Sequence, residues 1–457
     1  MKPISLNDIT AATCGTLLCG NGNQTITAVC TDTRKIAPGS LFVPLVGENF
    51  DAHNFIPDAL AGGCIASLTG RRDFQSEKAL IYVEDTRRAL ADLASFYRQQ
   101  FNIPLVAITG SVGKTTVKEL TAAVLATKLN VLKTEGNFNN EIGLPLTLLR
   151  LEDSHEVAIT EMGMSGFGEI DLLAKTAKPD IAVMTNIGLS HIEMLGSQEN
   201  IYKAKSELFC HLNSEGTVIL NGDDPILAAH KHEISQKIIT VGLSPDCDIT
   251  ATDICARYDK TCFTVLYKNE AVPVTLSFPG EHNVINALLA CGVGLSLGIS
   301  LKEAASGLYA YIPSDRRMQI IAHNKITIIN DCYNAAPASM EAGIKVLSGY
   351  NGRKVAVLGD IKELGEYSER AHRQIGQFVG TTGIDALFTL GENAKLIAEG
   401  AKDAGMSMEQ IFTFDDIVPL NEALKHFLNP GDTVLVKASR AMQLERVTDF
   451  LTKQYNL

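Results

Sequence analysis

The sequence predicts an α/β protein of three successive domains with a parallel sheet at its centre, and three observations predict it. Buried strand-like runs alternate with amphipathic helical stretches along most of the chain, the pattern of a parallel sheet covered on both faces. One run, Leu105-Val106-Ala107-Ile108, leads through a glycine turn directly into a helix. The length of 457 residues exceeds what one hydrophobic core organises, which sets the expectation at roughly three domains.

The first domain is expected over residues 1–84, with short strand-like runs such as Gly39–Leu45 broken by polar turns. From Asp85 the pattern turns helical through Ala89, Leu90, Leu93, Ala94 and Tyr97, and it stops before Asn102-Ile103-Pro104. The central domain, 85–313, continues with the strand 105–108, the glycine loop, and a helix carrying Val117, Leu120, Val124 and Leu125 on one face. Further strands are expected at Val157–Ile159, Ile181–Met184 and Val218–Leu220. A second break near Tyr311-Ile312-Pro313-Ser314-Asp315 opens a Rossmann-like third domain, 314–457, with strands at Ile326–Ile329, Val355–Leu358 and Val434–Val436.

Composition narrows the function. The apolar share of 46% and charged share of 20% are those of a soluble globular protein. A net charge of −12 gives no general attraction to nucleic acid or anionic membrane. The opening residues lack the pattern of a secretory leader, and no apolar run has membrane-spanning length, so a cytoplasmic protein without membrane insertion is expected. The 10 cysteines stand singly, which reads as buried reduced thiols.

The segment Thr109-Gly110-Ser111-Val112-Gly113-Lys114-Thr115-Thr116 carries the chemistry. Backbone N–H groups and a helix N-terminus face an anion there, Lys114 supplies a point charge, and the Thr115 hydroxyl is placed for Mg²⁺. The loop is a shortened form, because Ile108 stands where the longer pattern has its first glycine. Glu161 follows the strand at 157–160 and offers a hard oxygen ligand at the sheet edge where ligands collect. By themselves Glu161 reads as a helix cap, His191 as a hydrogen-bonded loop residue, and Lys203 and Lys205 as a solvated helix face.

Taken in order, these segments resemble the Mur ligases, which build the peptide of the bacterial cell-wall precursor. The resemblance rests on the shortened loop, Gly136-Asn137-Phe138-Asn139-Asn140-Glu141, Glu161-Met162-Gly163, Thr185-Asn186-Ile187 with His191, Ala204-Lys205, and Gly280-Glu281-His282-Asn283-Val284-Ile285-Asn286. In the last domain it rests on Asp331-Cys332-Tyr333-Asn334 and Val436-Lys437-Ala438-Ser439-Arg440. It implies a three-domain Mur ligase architecture: a small N-terminal α/β domain, a central P-loop domain and a C-terminal Rossmann-like domain. It also implies an ATP-dependent amide ligase joining D-alanyl-D-alanine to UDP-N-acetylmuramoyl-tripeptide through an acyl phosphate, with ATP and Mg²⁺ as cofactors, acting as a monomer.

The resemblance assigns roles as well. Lys114 and Thr115 would hold phosphate and a first magnesium, Glu161 would be a shared metal ligand, and His191 a ligand of a second. Lys205 matches a lysine carbamylated in several members. Asn283, Asn286, Arg317 and Asp331 would complete the ATP pocket. Asn137, Asn139 and Asn140 would meet the muramoyl substrate, Asp32, Thr33 and Arg34 the uridine nucleotide, and Tyr333 and Asn334 the dipeptide. Ala336, Ala338, Asn330, Ala438 and Ala52 depart from the family pattern, which bears on dipeptide binding and turn geometry.

Three other readings stand beside this one: a sister ligase adding a single amino acid or using a folate-like acceptor, a P-loop ATPase that makes no bond, and an inactive nucleotide-binding scaffold. More than a hundred residues precede the loop, which disfavours the folate type, and Glu161 stands where motor ATPases carry Asp.

Overall fold

The computed structural model describes residues 1–47, 49–313, 316–322 and 326–455. The expected boundary residues Ser314 and Asp315 lie outside these. The described chain forms two compact units, one of Met1–Thr109, Leu129–Ala182 and Ser206–Gly216, the other of Gly110–Lys128, Val183–Lys205 and Thr217–Leu457.

In the first unit, the strands Ala28–Cys30, Ser40–Phe42, Ala66–Thr69 and Ala79–Tyr82 run parallel, and Thr16–Cys19 closes the sheet antiparallel to the last. The strand expected over 39–45 is confined to Ser40–Phe42. Phe42, Ile56, Leu60 and Leu80 build a core beneath this sheet. The helix Thr86–Arg98 starts where Asp85 accepts from the backbone N–H groups of Arg87 and Arg88, a cap worth about 1 kcal/mol. It buries Ala89, Leu90, Leu93, Ala94 and Tyr97, the face that the periodicity marks. The strand Leu105–Thr109, buried throughout, pairs parallel with Val157–Glu161, which pairs parallel with Val131–Lys133.

In the second unit, the helix Lys114–Leu125 packs against His282–Ser296 and Leu301–Ala310. The last contact needs Gly307, since a Cβ there would lie 2.4 Å from the Ala123 carbonyl oxygen. The strands Thr217–Asn221, Lys237–Gly242 and Ile249–Ala256 pair parallel. The parallel pattern then gives way to two hairpins the alternation did not predict: Ile249–Ala256 pairs antiparallel with Thr261–Tyr267, and that strand with the edge strand Glu270–Leu276. A second sheet has the order Gln319–Ala322, Thr327–Asn330, Thr433–Lys437, Lys354–Gly359, Ala386–Leu390, Ile411–Phe414, with only the first strand antiparallel. This is the expected Rossmann-like pattern. Val355, Val357, Phe388, Val434 and Val436 lie in its core.

All 10 cysteines are free, but only Cys30, Cys64, Cys291 and Cys332 are buried. Cys14, Cys210 and Cys255 are exposed, so the expectation of uniformly buried thiols is corrected. Spacing along the chain does not reveal which face of a strand or loop a thiol occupies.

Candidate active site

The glycine loop owes its shape to two positions. Gly110 has φ +145°, and a Cβ there would lie 2.0 Å from Thr185 Oγ1; Gly113 has φ +87°, with Asn286 Oδ1 2.8 Å from where a Cβ would sit. Only glycine accepts such backbone and such proximity without strain. The segment after the strand Ile181–Met184 fastens the loop. The Ser111 N–H donates to the Asn186 carbonyl (3.0 Å), the Val112 N–H to Asn186 Oδ1 (2.9 Å), and Thr185 Oγ1 to the Val112 carbonyl (2.5 Å). The Gly188 N–H donates to Ser111 Oγ (2.9 Å). Thr185 and Asn186 are therefore loop-holding residues, a role that motif reading alone did not assign.

Lys114 Nζ donates to the carbonyls of Gly110 (2.7 Å) and Ser111 (3.3 Å), which keeps the ammonium over the loop. Thr115 is buried and Thr116 lines a cavity. Thr109, the last residue of its strand, donates from Oγ1 to the Met162 carbonyl in the first unit.

Two cavities of the second unit share this loop. The larger, about 260 Å³, is lined by Val112, Gly113 and Thr116, by Asn283 and Asn286, and by Arg317 and Asp331. Asn286 Nδ2 donates to Asn283 Oδ1 (3.0 Å), and Asn283 Nδ2 to the Pro279 carbonyl (3.0 Å), so both buried amides are fixed. The Arg317 guanidinium lies 3.9 Å from the Tyr333 ring centroid. Phe278 and Tyr311, rings edge to face at 5.6 Å, add an apolar wall. These two, with His282 and Lys437, also line the cavity and were not among the expected ATP-binding residues.

The smaller cavity, about 180 Å³, brings together Ser111, Lys114, His191, Asn334, Lys362 and Arg440. His191 has φ +64° and its Nδ1 lies 2.6 Å from Glu363 Oε2, a contact that holds the Glu363 carboxyl below its ordinary range. Lys114, His191, Lys362 and Arg440 outnumber the one carboxylate of the lining, Glu363, and that balance suits an anionic group.

Lys205 departs from the default reading of a solvated face. Lys203, two residues earlier, is exposed and faces Glu199, whereas Lys205 is fully buried and its Nζ has no hydrogen-bond partner. Burial pushes its amine well below the ordinary lysine value, and the positive charge of Lys114 pushes it further. Among the described residues no cluster of three or more His, Cys, Asp or Glu side chains could by itself hold a metal ion.

In the first unit, Glu161 is buried at the end of its strand and its Oε1 accepts from Asn139 Nδ2 (2.9 Å). Asn139 donates its N–H to the carbonyl of exposed Asn137 (2.7 Å), and Asn140 Oδ1 accepts from Gly143 N (2.9 Å). Asp32 caps the short turn Thr33–Lys35 and grips Arg34 by two hydrogen bonds of 2.8 Å, which hold its carboxyl down to about 2.

Comparison with known proteins agrees with this geometry. Residues 108–294 match the Mur ligase middle domain, and residues 316–440 match the Mur ligase, glutamate ligase domain. The chain is 40% identical over 442 residues, 95% of each protein, to the UDP-N-acetylmuramoyl-tripeptide–D-alanyl-D-alanine ligase of Bacillus subtilis. The MurF crystal structure from Acinetobacter baumannii superposes with a TM-score of 0.92 at 32% identity, over 99% of both chains. The MurF ligase of Thermotoga maritima, solved in complex with ADP, gives 0.85 at 30% identity, covering 94% of this chain and 98% of that one. Among the described residues no helix is long and apolar enough to cross a membrane.

Proposed function

The chain belongs to the Mur ligases and is an ATP-dependent enzyme joining D-alanyl-D-alanine to UDP-N-acetylmuramoyl-tripeptide; from that premise we propose how its residues divide the work. One observation carries the proposal: a single loop lines both cavities, with Val112 and Gly113 at the larger and Ser111 and Lys114 at the smaller. A nucleotide seated in the larger, against Asn283, Asn286, Arg317 and Asp331, has its phosphates on the loop and its γ-phosphoryl group directed to the smaller. There the terminal carboxylate of the tripeptide attacks phosphorus and ADP leaves. The dipeptide amine then attacks the acyl phosphate, and the tetrahedral intermediate expels phosphate to leave the amide.

Lys114 and the loop N–H groups from Thr109 to Thr116 stabilise the charge that builds on the transferring phosphoryl group. Tyr333 and Asn334 meet the dipeptide beside Lys362 and Arg440. Asn137, Asn139 and Asn140 face the muramoyl peptide, and Asp32, Thr33 and Arg34 the uridine nucleotide. The domains follow the same division: 1–84 for the uridine nucleotide, 85–313 for ATP, and 314–457 for the dipeptide and for completing the ATP site. The enzyme works as a cytoplasmic monomer.

By its own chemistry each of Thr115, Glu161, His191 and Lys205 suits a magnesium site. Lys205 fits it best once modified: a buried amine kept neutral attacks CO₂, a C–N bond forms, one proton leaves, and the orphaned nitrogen becomes a carbamate with two hard oxygens. Bound there, Mg²⁺ would supply positive charge to the phosphoryl oxygens. The test is phosphate release from Mg-ATP with UDP-N-acetylmuramoyl-tripeptide, with D-alanyl-D-alanine present or omitted. Release that needs the dipeptide, with a product one dipeptide heavier by mass spectrometry, is expected. Release indifferent to it would overturn the reading.

A further inference from the structure

We propose that Cys255 and Cys262 form a peroxide-responsive dithiol that closes reversibly into a cross-strand disulfide. The two residues lie directly opposite one another on the antiparallel strands Ile249–Ala256 and Thr261–Tyr267. Opposed antiparallel residues have Cα atoms about 4.5–5.5 Å apart, inside the range of roughly 4.4–6.8 Å that a disulfide spans.

A bulge creates this register. Thr252 pairs with Thr264 and Cys255 with Cys262, so three steps along one strand match two along the other, and Asp253 takes φ +55° at the irregularity. Without the extra residue Ile254 would face Cys262. Because opposed residues share a face of the sheet, both thiols point the same way. That face is the outer one. Thr261, Phe263 and Val265 are buried, whereas Cys262 between them is half-buried and Cys255 is exposed. Cys262 Sγ also lies 3.6 Å from the hydroxyl of Thr275 on the next strand.

A cation follows Cys255 in the turn, at Arg257. Interaction with Cys255 first, and with Cys262 and Asp259 after it, holds the Arg257 guanidinium above its ordinary pKa. The thiolate is the form that attacks peroxide. The Cys255 thiolate displaces one oxygen of the peroxide, giving a sulfenic acid and, after proton uptake, water or an alcohol. The Cys262 sulfur then attacks the sulfenic sulfur, the S–S bond forms, and a water leaves. The two thiols are oxidised and the peroxide is reduced. The turn between them, closed by Arg257 N–H to the Lys260 carbonyl, carries Tyr258, whose carbonyl accepts from the Tyr350 hydroxyl at 2.6 Å. Oxidation therefore staples a hairpin that is docked on the second sheet's domain.

The full-length protein is treated with hydrogen peroxide and analysed by intact mass and peptide mapping. Loss of two hydrogens, a peptide linking Cys255 to Cys262, and full reversal by dithiothreitol are expected. Cys262→Ser is expected to keep ligase activity and to trap the sulfenic acid on Cys255 as a dimedone adduct, which the unsubstituted protein resolves before trapping. Free thiols at both positions after treatment, a link to Cys14 or Cys210 instead, or equal dimedone labelling with and without Cys262 would overturn the proposal.

Discussion

Lys437 Nζ donates to Asp331 Oδ2 across 2.6 Å, and both side chains are largely withdrawn from solvent, at 3% and 13% exposure. The other carboxylate oxygen accepts from the Met318 N–H at 3.0 Å, so Asp331 is held from two sides at the wall of the larger cavity. Lys437 positions Asp331. Replacing it by methionine leaves a buried carboxylate unpaired, a change that costs about 3 kcal/mol in comparable pairs. Lys437→Met is expected to lower the melting temperature and to raise the KM for ATP about tenfold, or roughly 1.4 kcal/mol, with less effect on kcat. Adding Asp331→Asn should recover stability but not the KM, which thermal melts and ATP titrations together would check.

The phosphate loop leaves no room for a methyl group at Gly110. Gly110→Ala combines a clash with Thr185 Oγ1 and a positive φ, at a cost of about 1–3 kcal/mol in strain. Turnover should fall at least a hundredfold while the helix content seen by circular dichroism is retained. ATP binding, read by isothermal titration, should fall with it.

Glu363 orients His191 through the ring contact, Oε2 to Nδ1 at 2.6 Å. Supports of this kind typically change metal affinity or activity by about 10–100-fold. For Glu363→Ala we expect about ten times more Mg²⁺ at half-maximal rate and an unchanged melting temperature, since the Glu363 side chain is 57% exposed. An unchanged magnesium dependence would remove His191 from the proposed magnesium site.

Acid sensitivity should appear in the first domain at Asp51. Its carboxyl is held down to about 2 by the His53 N–H first, then by the His53 ring and Arg71. A carboxyl lowered on folding contributes stability that is complete above its ordinary value of about 3.8 and is lost as pH falls through about 2. Urea midpoints of the natural protein and Asp51→Asn should therefore differ at pH 6 and converge toward pH 2.

Much of this was readable from residue order. The helix after Asp85 and the strand before the loop carry their burial in their periodicity, and Asn283 and Asn286 are one helical turn apart, so both reach one cavity. Other features are set by tertiary packing. Lys203 and Lys205 look alike in sequence, and only the helix orientation leaves one in water and the other fully buried. The partnership of Lys437 with Asp331 joins residues 106 positions apart, which no local pattern encodes. The hairpins after Ile249 leave little mark in the sequence because antiparallel strands with one wet face carry short, mixed runs rather than the continuous apolar ones of a buried parallel strand.

Those hairpins also end the sheet in a particular way. The edge strand Glu270–Leu276 carries Pro273 in its middle, opposite Thr264. Proline is tolerated on an edge where its missing N–H faces outward, and there it denies a donor to any strand that would add itself. A sheet ending at Ile249–Ala256, which contains no proline, would have left such donors open along its edge. By extending past it to a proline-bearing strand, the chain blunts this edge against pairing with another strand.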